Sequence, residues 1–261
     1  MMKILVCVKQ VPEFDLEAEI KINESGQGVV TDHLTAFRMN RFDEYAVEEA
    51  LLIKKELSDV KIDALTVGPE ESAAAVRRAM GMGVDNGIHI LTQEGNPLFA
   101  GQVAQWISNV VKIRDYDLIL TGVMSEDQMQ GQVGPMLAEF LNLPCATSVI
   151  AEKMTPENQT VLVEREIEGG YRDVLRLKLP AVVTIQSGIN LPRYPSLSNV
   201  LRAKRAKLEI FEADSLSQQE TATVSTLDYP GKTRAAEVLS GSQSEKAQQL
   251  FRVLQEKAII P

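Results

Sequence analysis

A short apolar segment near residue 180 restricts the fold of this chain more than any other feature. Pro180 is followed by the uninterrupted run Ala-Val-Val-Thr-Ile, which ends at Ile185. A run without polar alternation is typical of a strand that is buried on both of its faces. Strands of that kind occur in parallel sheets whose two faces are covered by helices. The segment therefore predicts a buried strand in a layered α/β domain.

The residues before and after this strand predict a hairpin and an exposed loop. The charged run Val-Glu-Arg-Glu-Ile-Glu, a glycine pair at 169–170 and alternate leucines at 175, 177 and 179 indicate two strands joined by a turn. Beyond the buried strand, Pro192 and Pro195 bracket a loop that presents Leu197 between two serines. A large apolar side chain on a restricted polar loop favours contact with a partner protein. The alternative is that Leu197 folds back on its own helix.

Elsewhere, short apolar runs alternate with stretches of helical spacing. We predict strands at 3–8, 62–67, 87–91 and 116–121, and helices at 42–57, 70–80, 97–113 and 135–141. Asn40 or Asp43 is a candidate cap for the first of these helices. Repeated strand–helix alternation predicts an α/β fold with a mainly parallel, doubly wound sheet, helices on both faces and a C-terminal extension.

The extension differs in composition from the rest of the chain. Residues 212–246 are rich in Ser, Gln, Thr, Ala and Glu and show little periodicity. Ser242 and Glu245 then have the spacing of a capping box at the start of an amphipathic helix. We divide the chain into an α/β domain at 1–210 and a C-terminal arm at 211–261. The arm is expected to pack on a partner subunit, with a disordered tail as the alternative.

Composition and isolated residues argue against several classes of function. A net charge of −9 argues against general nucleic-acid binding. No apolar run approaches the roughly 20 residues of a membrane span, and no signal peptide is visible, so we expect a cytoplasmic protein. Cys7 and Cys145 stand far apart among apolar neighbours, as free thiols do. His33 and His89 form no triad or metal spacing, so an enzyme is not expected.

The ends of three predicted strands are candidates for a ligand site. Ligands of doubly wound sheets bind beyond the carboxyl ends of the strands, where loops meet helix N-termini. Segments Cys7 to Lys9, Val67 to Pro69 and Gly122 to Gln132 fall at such ends. Backbone amides at the end of the last segment could hold a phosphate, and Gly131 would allow close approach. A plain strand–helix connection is the alternative interpretation.

Several collinear motifs then point to one family. They are K-I-L-V-C-V-K-Q-V-P at 3–12, G-V-V-T-D at 28–32, M-N-R-F-D-E-Y-A-V-E-E-A at 39–50, V-G-P at 67–69 and G-Q-V-G-P at 131–135. Over about residues 1–210, the chain resembles the beta subunit of electron transfer flavoprotein, a heterodimeric flavin carrier. The resemblance implies that, together with an alpha subunit, it accepts electrons from flavin-dependent dehydrogenases. It implies delivery to a quinone oxidoreductase or the respiratory chain.

The resemblance also implies a bound adenine nucleotide, usually AMP. Carried over residue by residue, its contacts come from the ends of the first and second strands, the entry of the first long helix and one loop: Cys7, Asn40, Arg41, Phe42, Asp43, Val67, Gly122, Val123, Met124, Ser125, Glu126, Asp127, Gln128, Met129 and Gln130. Gln130 stands where many relatives have Thr. The alternative is a second FAD in this site, as in NADH-dependent electron-bifurcating relatives, whose matching helix opens with an Ala-Asp-Thr-like turn. This chain has Ala-Gly-Gln at 100–102.

Three further residues match interface positions of the family. The redox FAD is shared with the alpha subunit, which binds most of it, and Phe14 matches an aromatic ring near that flavin. Glu166 matches a carboxylate that pairs with an arginine of the alpha subunit, and Leu197 matches the anchor for dehydrogenases. A free-standing ATP-cleaving enzyme is a third interpretation. It would need a Gly-rich Ser-Gly-Gly phosphate loop, which the sequence lacks.

Overall fold

The computed structural model describes residues 1–13, 21–24, 26, 28–30, 35–93, 98–155, 157, 159–216, 226–229, 231 and 238–259. The chain forms two compact units, Met1–Ser225 and Thr226–Pro261. The strands of the first unit are β1 Met2–Cys7, β2 Gln10–Glu13, β3 Ala36–Met39, β4 Val60–Gly68, β5 Asn86–Leu91, β6 Leu118–Gly122, β7 Cys145–Thr155, β8 Thr160–Glu166, β9 Arg172–Lys178, β10 Ala181–Ile185 and β11 Glu209–Glu212. Its helices are α1 Arg41–Leu57, α2 Ala73–Met82, α3 Ala100–Lys112, α4 Val133–Leu141 and α5 Leu197–Arg205.

A nine-stranded sheet lies at the centre of this unit, in the order β11-β5-β4-β1-β6-β10-β7-β8-β9. All neighbours from β11 to β7 are parallel. The last two strands, β8 and β9, are antiparallel and form the predicted hairpin at one edge. Strands β2 and β3 form a separate antiparallel ribbon. The prediction of a mainly parallel α/β sheet is confirmed.

The core confirms that helices cover both faces of the sheet. Alternate residues of β1 belong to opposite clusters, Ile4 and Val6 to one and Leu5 and Cys7 to the other. The first cluster is completed by α1, α2 and α5, and the second by α3 and α4. All five residues of β10 are buried, as the apolar run predicted. Burying a large aliphatic side chain stabilises the fold by roughly 1.5–3 kcal/mol, so these two layers contribute most of the stability of the sheet.

The periodicity of the sequence missed four strands, β2, β3, β7 and β11. The longest strand, β7, is only partly buried and carries Thr, Ser, Glu and Lys along its length. Its register shifts near Val149, and Ser148 has a positive φ of 57°. Such a bulge interrupts the alternation on which strand prediction depends. The short edge strand β11 has only one half-buried residue, Phe211.

The second unit contains one helix, α6 Gln243–Glu256, among its described residues. Ser242 Oγ accepts a hydrogen bond from Glu245 N at 3.4 Å, and the Glu245 carboxylate accepts one from Ser242 N at 2.7 Å. The predicted capping box is therefore confirmed. The helix buries none of its residues, and Leu250 and Phe251 are exposed. Packing of the arm on a partner stays a prediction. Within the described ranges, no helix has both the length and the apolar character to cross a membrane.

Candidate functional site

The main cleft of the first unit opens at the carboxyl ends of β1, β4 and β6. After β1 the chain enters β4, which is the neighbour of β1 on one side. It later enters β6, which is the neighbour of β1 on the other side. Successive connections therefore diverge at β1, and ligands of open α/β sheets bind at such a switch point. The cavity encloses about 780 Å³ including its open mouth.

One wall of the cleft is apolar. Its side chains come from β4, from α3 and from the stretch before α3: Leu65, Val67, Leu98, Val103 and Ile107. Cys7 at the end of β1 adds to this wall. Burial, and secondly the charge of Asp43, raise the pKa of the Cys7 thiol far above its usual value, so it stays protonated. A wall of this kind suits the flat face of an aromatic base.

The opposite side of the cleft is formed by the N-terminus of α4. Gln132 occupies the N-cap position, and its side chain makes no capping hydrogen bond. The first turn of a helix leaves its backbone N–H groups without intrahelical partners, and its dipole attracts negative charge. Val133 and Gly134 line the cleft at this turn, and Gly131 precedes it with a φ of +62°. The backbone here is arranged to bind an anion.

Asn40 holds the loop between β6 and α4 in place. Its side chain is 1% exposed. Nδ2 donates to the carbonyl of Met124 at 2.9 Å, and Oδ1 accepts from the backbone N–H of Glu126 at 3.1 Å. Asn40 is the N-cap residue of α1, but its side chain makes no capping bond. Of the two candidates, Asn40 therefore occupies the cap position, but both polar atoms of its side chain bond the distant loop and none bonds the helix.

Asp43 joins the ends of β1 and β6 beneath the cleft. Its carboxylate accepts hydrogen bonds from Lys9 N at 2.7 Å and Gly122 N at 3.1 Å. Burial raises the pKa of Asp43 to about 7, against the opposing effect of these N–H donors. A Cβ at Gly122 would overlap Asp43 and Phe42, so only glycine permits this close approach of β6 to α1.

Two acidic residues of the loop are paired outside the cleft. Lys9 Nζ contacts both oxygens of Asp127 at 2.8 and 2.6 Å and Ser125 Oγ at 3.3 Å. Burial opposes ionisation of Asp127, but the Lys9 charge and hydrogen bonds lower its pKa overall. Glu126 accepts from Arg38 at 2.9 Å and from the backbone N–H of Arg41 at 3.0 Å. These pairs fix the loop and leave its backbone facing the cleft.

Comparisons with known proteins show the family of this chain. The family model described as electron transfer flavoprotein domain matches residues 27–216. The chain is 38% identical over 242 residues to electron transfer flavoprotein subunit beta of Bos taurus, covering 91% of this chain and 92% of that protein. It is 34% identical over 265 residues to the same subunit of Bacillus subtilis, covering 98% and 99%. The chain belongs to the electron transfer flavoprotein beta subunit family.

Membership of the electron transfer flavoprotein family carries three coarse consequences. The family transfers electrons in association with flavin, and its beta subunits are carriers rather than classical enzymes. A beta subunit pairs with an alpha subunit.

A third relative, the beta subunit of Methylophilus methylotrophus, is 31% identical over 264 residues, or 98% of each chain.

The structure brings most of the predicted nucleotide contacts of this beta subunit together. Those that line the cleft are Cys7, Asn40, Asp43, Val67, Gly122, Val123, Met124, Ser125, Gln128 and Gln130. Five others lie outside its wall: Arg41, Phe42, Glu126, Asp127 and Met129. Phe14 lies outside the described residues. Sequence reasoning placed Lys9 in a candidate segment but not among the contacts. It missed the apolar side of α3, because an apolar stripe does not show which residues extend beyond the core.

The two remaining family positions lie on the surface, away from the cleft wall. Leu197 is the first residue of α5 and is 77% exposed. Its side chain does not fold back on its own helix. Glu166 is the exposed last residue of β8, opposite Arg172 in the hairpin register. Both are accessible in this electron transfer flavoprotein beta subunit taken alone.

Proposed function

We propose that this chain is the beta subunit of a heterodimeric electron transfer flavoprotein that accepts electrons from flavin-dependent dehydrogenases. In this proposal the electrons pass on to a quinone oxidoreductase or the respiratory chain. Family membership supports electron transfer and an alpha-subunit partner. The observations that support the finer proposal are a preformed cleft at the switch point of the sheet and, elsewhere on the surface, the exposed apolar side chain of Leu197.

The cleft is proposed to hold an adenine nucleotide. Its apolar wall, which includes Val67 and Ile107, fits an adenine ring, and the amides at Val133 and Gly134 fit a phosphate. Gly131 lets the backbone approach that phosphate closely. AMP is the nucleotide we propose. A second FAD, as in bifurcating relatives, is the alternative for the same cleft.

The redox FAD is proposed to lie mainly in the alpha subunit. This chain has no Gly-x-Gly-x-x-Gly run of a dinucleotide-binding turn. When bound, a flavin supplies the electron acceptor and donor, and the protein contributes orientation and docking. In the proposal, Glu166 pairs with an arginine of the alpha subunit, Phe14 lies near the shared flavin, and the arm at 211–261 packs on that subunit.

Leu197 is proposed to anchor the dehydrogenases. A large apolar side chain that fills a partner's pocket typically dominates the binding energy of an interface. Pro192 and Pro195 restrict the preceding loop, which lowers the entropy lost on docking. The exposure of Leu197 supports this role, because a structural leucine would be expected to bury its side chain in the fold.

The decisive experiment identifies what the purified heterodimer carries. The chain is co-expressed with its alpha subunit, the complex is denatured, and the released compounds are separated and identified by mass spectrometry. AMP and FAD in a one-to-one ratio support the carrier. Two FAD per heterodimer support the bifurcating alternative. A complex that carries FAD but releases no second adenine compound would contradict the proposal for the cleft.

A further inference from the structure

The segment that precedes Leu197 is held on helix α1, and this has a consequence for docking. Residues 186–196 connect β10 to α5 without a helix or strand. Leu191 is 88% exposed and Tyr194 is 91% exposed on this irregular backbone, which leads to the exposed Leu197 at the start of α5. We call residues 190–197 the docking segment. Its outward side chains do not hold it in place, so contacts beneath it must do so.

The strongest of these contacts joins Arg193 to Glu48. The guanidinium donates to both carboxylate oxygens, at 2.8 Å from Nε and 2.7 Å from Nη2. The backbone N–H of Arg193 donates to the same carboxylate at 3.1 Å. Glu48 is 4% exposed. Three hydrogen bonds to one buried carboxylate fix the position and the orientation of the segment, because bidentate pairs are geometrically specific.

A second contact lies at the start of the docking segment. Asn190 Nδ2 donates to the carbonyl of Tyr45 at 3.0 Å and to Glu49 at 2.7 Å. Asn190 and Arg193 therefore attach the segment to α1 on either side of Leu191. Helix α1 itself is fixed in the core through Ala46, Val47 and the rest of its apolar face. The segment is attached to one of the most rigid elements of the fold.

We propose that Glu48 and Arg193 are positioning residues for the docking of flavin-dependent dehydrogenases, acting through the placement of Leu197. The inference rests on the proposed function of Leu197. A segment that is already ordered loses less entropy on binding. If only a fraction of molecules holds the segment in the docking conformation, the apparent affinity falls by that fraction. Loss of the pair should weaken docking without altering electron transfer once the dehydrogenase is bound.

The test measures reduction of the heterodimer by a purified flavin-dependent dehydrogenase from the same source that reduces the wild type. Arg193→Met is expected to raise the apparent KM at least about tenfold, with kcat and the flavin and nucleotide content unchanged. Arg193→Lys keeps the positive charge but not the forked guanidinium, so its apparent KM should lie between those of the wild type and Arg193→Met. The double variant Glu48→Gln with Arg193→Met leaves no unpaired buried charge. If the single variant folds poorly, the double variant should still show the raised apparent KM.

The matched control is Arg78→Met. Arg78 on α2 pairs at 2.7 Å with Glu44, which lies on α1 as Glu48 does. Arg78 makes no described contact with the docking segment. Its KM should stay at the wild-type value. If Arg193→Met and the double variant also keep that KM while Leu197→Ala raises it, the positioning role is wrong and the anchor stands.

A double-mutant cycle separates the two proposals further. Because Arg193 acts through Leu197, adding Arg193→Met to Leu197→Ala should raise KM by less than about twofold more. Full additivity of the two effects would overturn the positioning role. A Leu197→Ala variant with unchanged KM would instead overturn the anchor, and with it the proposed docking site.

Discussion

Glu49 on α1, which is buried, and Glu152 on β7, which is half-buried, lie close enough for each carboxyl group to shift the pKa of the other. Burial, and secondly the Glu49 charge, raise the pKa of Glu152 to about 8. Burial likewise raises the pKa of Glu49, with Glu48 and Glu56 adding negative charge nearby. The two negative charges would repel each other, so each carboxyl group opposes ionisation of its neighbour in addition to the effect of burial.

This pair predicts a pH dependence of stability. The pKa of Glu152 is raised from 4.5 to about 8 on folding, so the folded state binds more protons between these values. The free energy of unfolding should therefore fall as pH rises from about 5 to 8. Glu152→Gln, which imitates the protonated acid, should flatten that slope in urea unfolding. The exposed Glu168→Gln is the control. An unchanged slope in Glu152→Gln would show that the pair does not carry it.

A second prediction concerns retention of the nucleotide. Lys9→Met removes the ammonium that pairs with Asp127 and holds the loop over the cleft. The pair is partly exposed, so we expect a loss of about 1 kcal/mol, or roughly fivefold weaker nucleotide binding. Nucleotide content after gel filtration and calorimetric titration with AMP measure the effect. Lys61→Met, an exposed lysine on β4, should bind as the wild type does. Equal retention by both variants would contradict a role for Lys9.

Two glycine substitutions should change stability in opposite directions. Gly122→Ala places a Cβ into Asp43 and Phe42 and should destabilise the fold by roughly 1–3 kcal/mol. Gly101 lies within α3, and a Cβ there meets only the end of Met136 at 3.8 Å. Gly101→Ala should therefore stabilise the protein by roughly 0.5–1 kcal/mol. Chemical denaturation measures the free energy of unfolding of both variants. A Gly122→Ala variant as stable as the wild type would contradict the close approach of β6 to α1.

Leu197→Ala should weaken reduction by dehydrogenases. Truncating an interface anchor typically costs about 2 kcal/mol, which is roughly 30-fold in affinity. Steady-state kinetics should show a raised apparent KM with an unaltered flavin spectrum and bound nucleotide. Ile113→Ala, another exposed apolar truncation at the end of α3, serves as the control and should leave KM unchanged. A lowered melting temperature with unchanged KM would make Leu197 a structural residue.

The C-terminal arm should be needed for assembly and not for the fold of the first unit. Both apolar clusters lie entirely within Met1–Ser225. A chain lacking 238–261 should keep the thermal unfolding transition of the first unit but lose the alpha subunit on gel filtration, since Leu250 and Phe251 would no longer be present to bind it. Stoichiometric copurification of the shortened chain with its partner would be the contrary result.

Local patterns in the sequence predicted the regular elements well where one face or both faces are buried. The apolar run to Ile185 gave β10, and Ser242 with Glu245 gave the capped start of α6. Where a strand is half-buried and bulged, as β7 is near Val149, the same reasoning failed. Burial periodicity is the signal, so it disappears when burial is irregular.

What the sequence by itself determined is the mainly parallel α/β fold, the family and the segments that end at the cleft. Only the tertiary structure decided which polar side chains meet there. Asn40 serves a loop beginning 84 residues away rather than its own helix, and Arg193 reaches back 145 residues to Glu48. Apolar periodicity is a local pattern among neighbouring residues. A long-range hydrogen bond depends instead on which segments the fold brings side by side. The sequence therefore indicated which segments form the sites, and only the structure showed which side chains contact each other there.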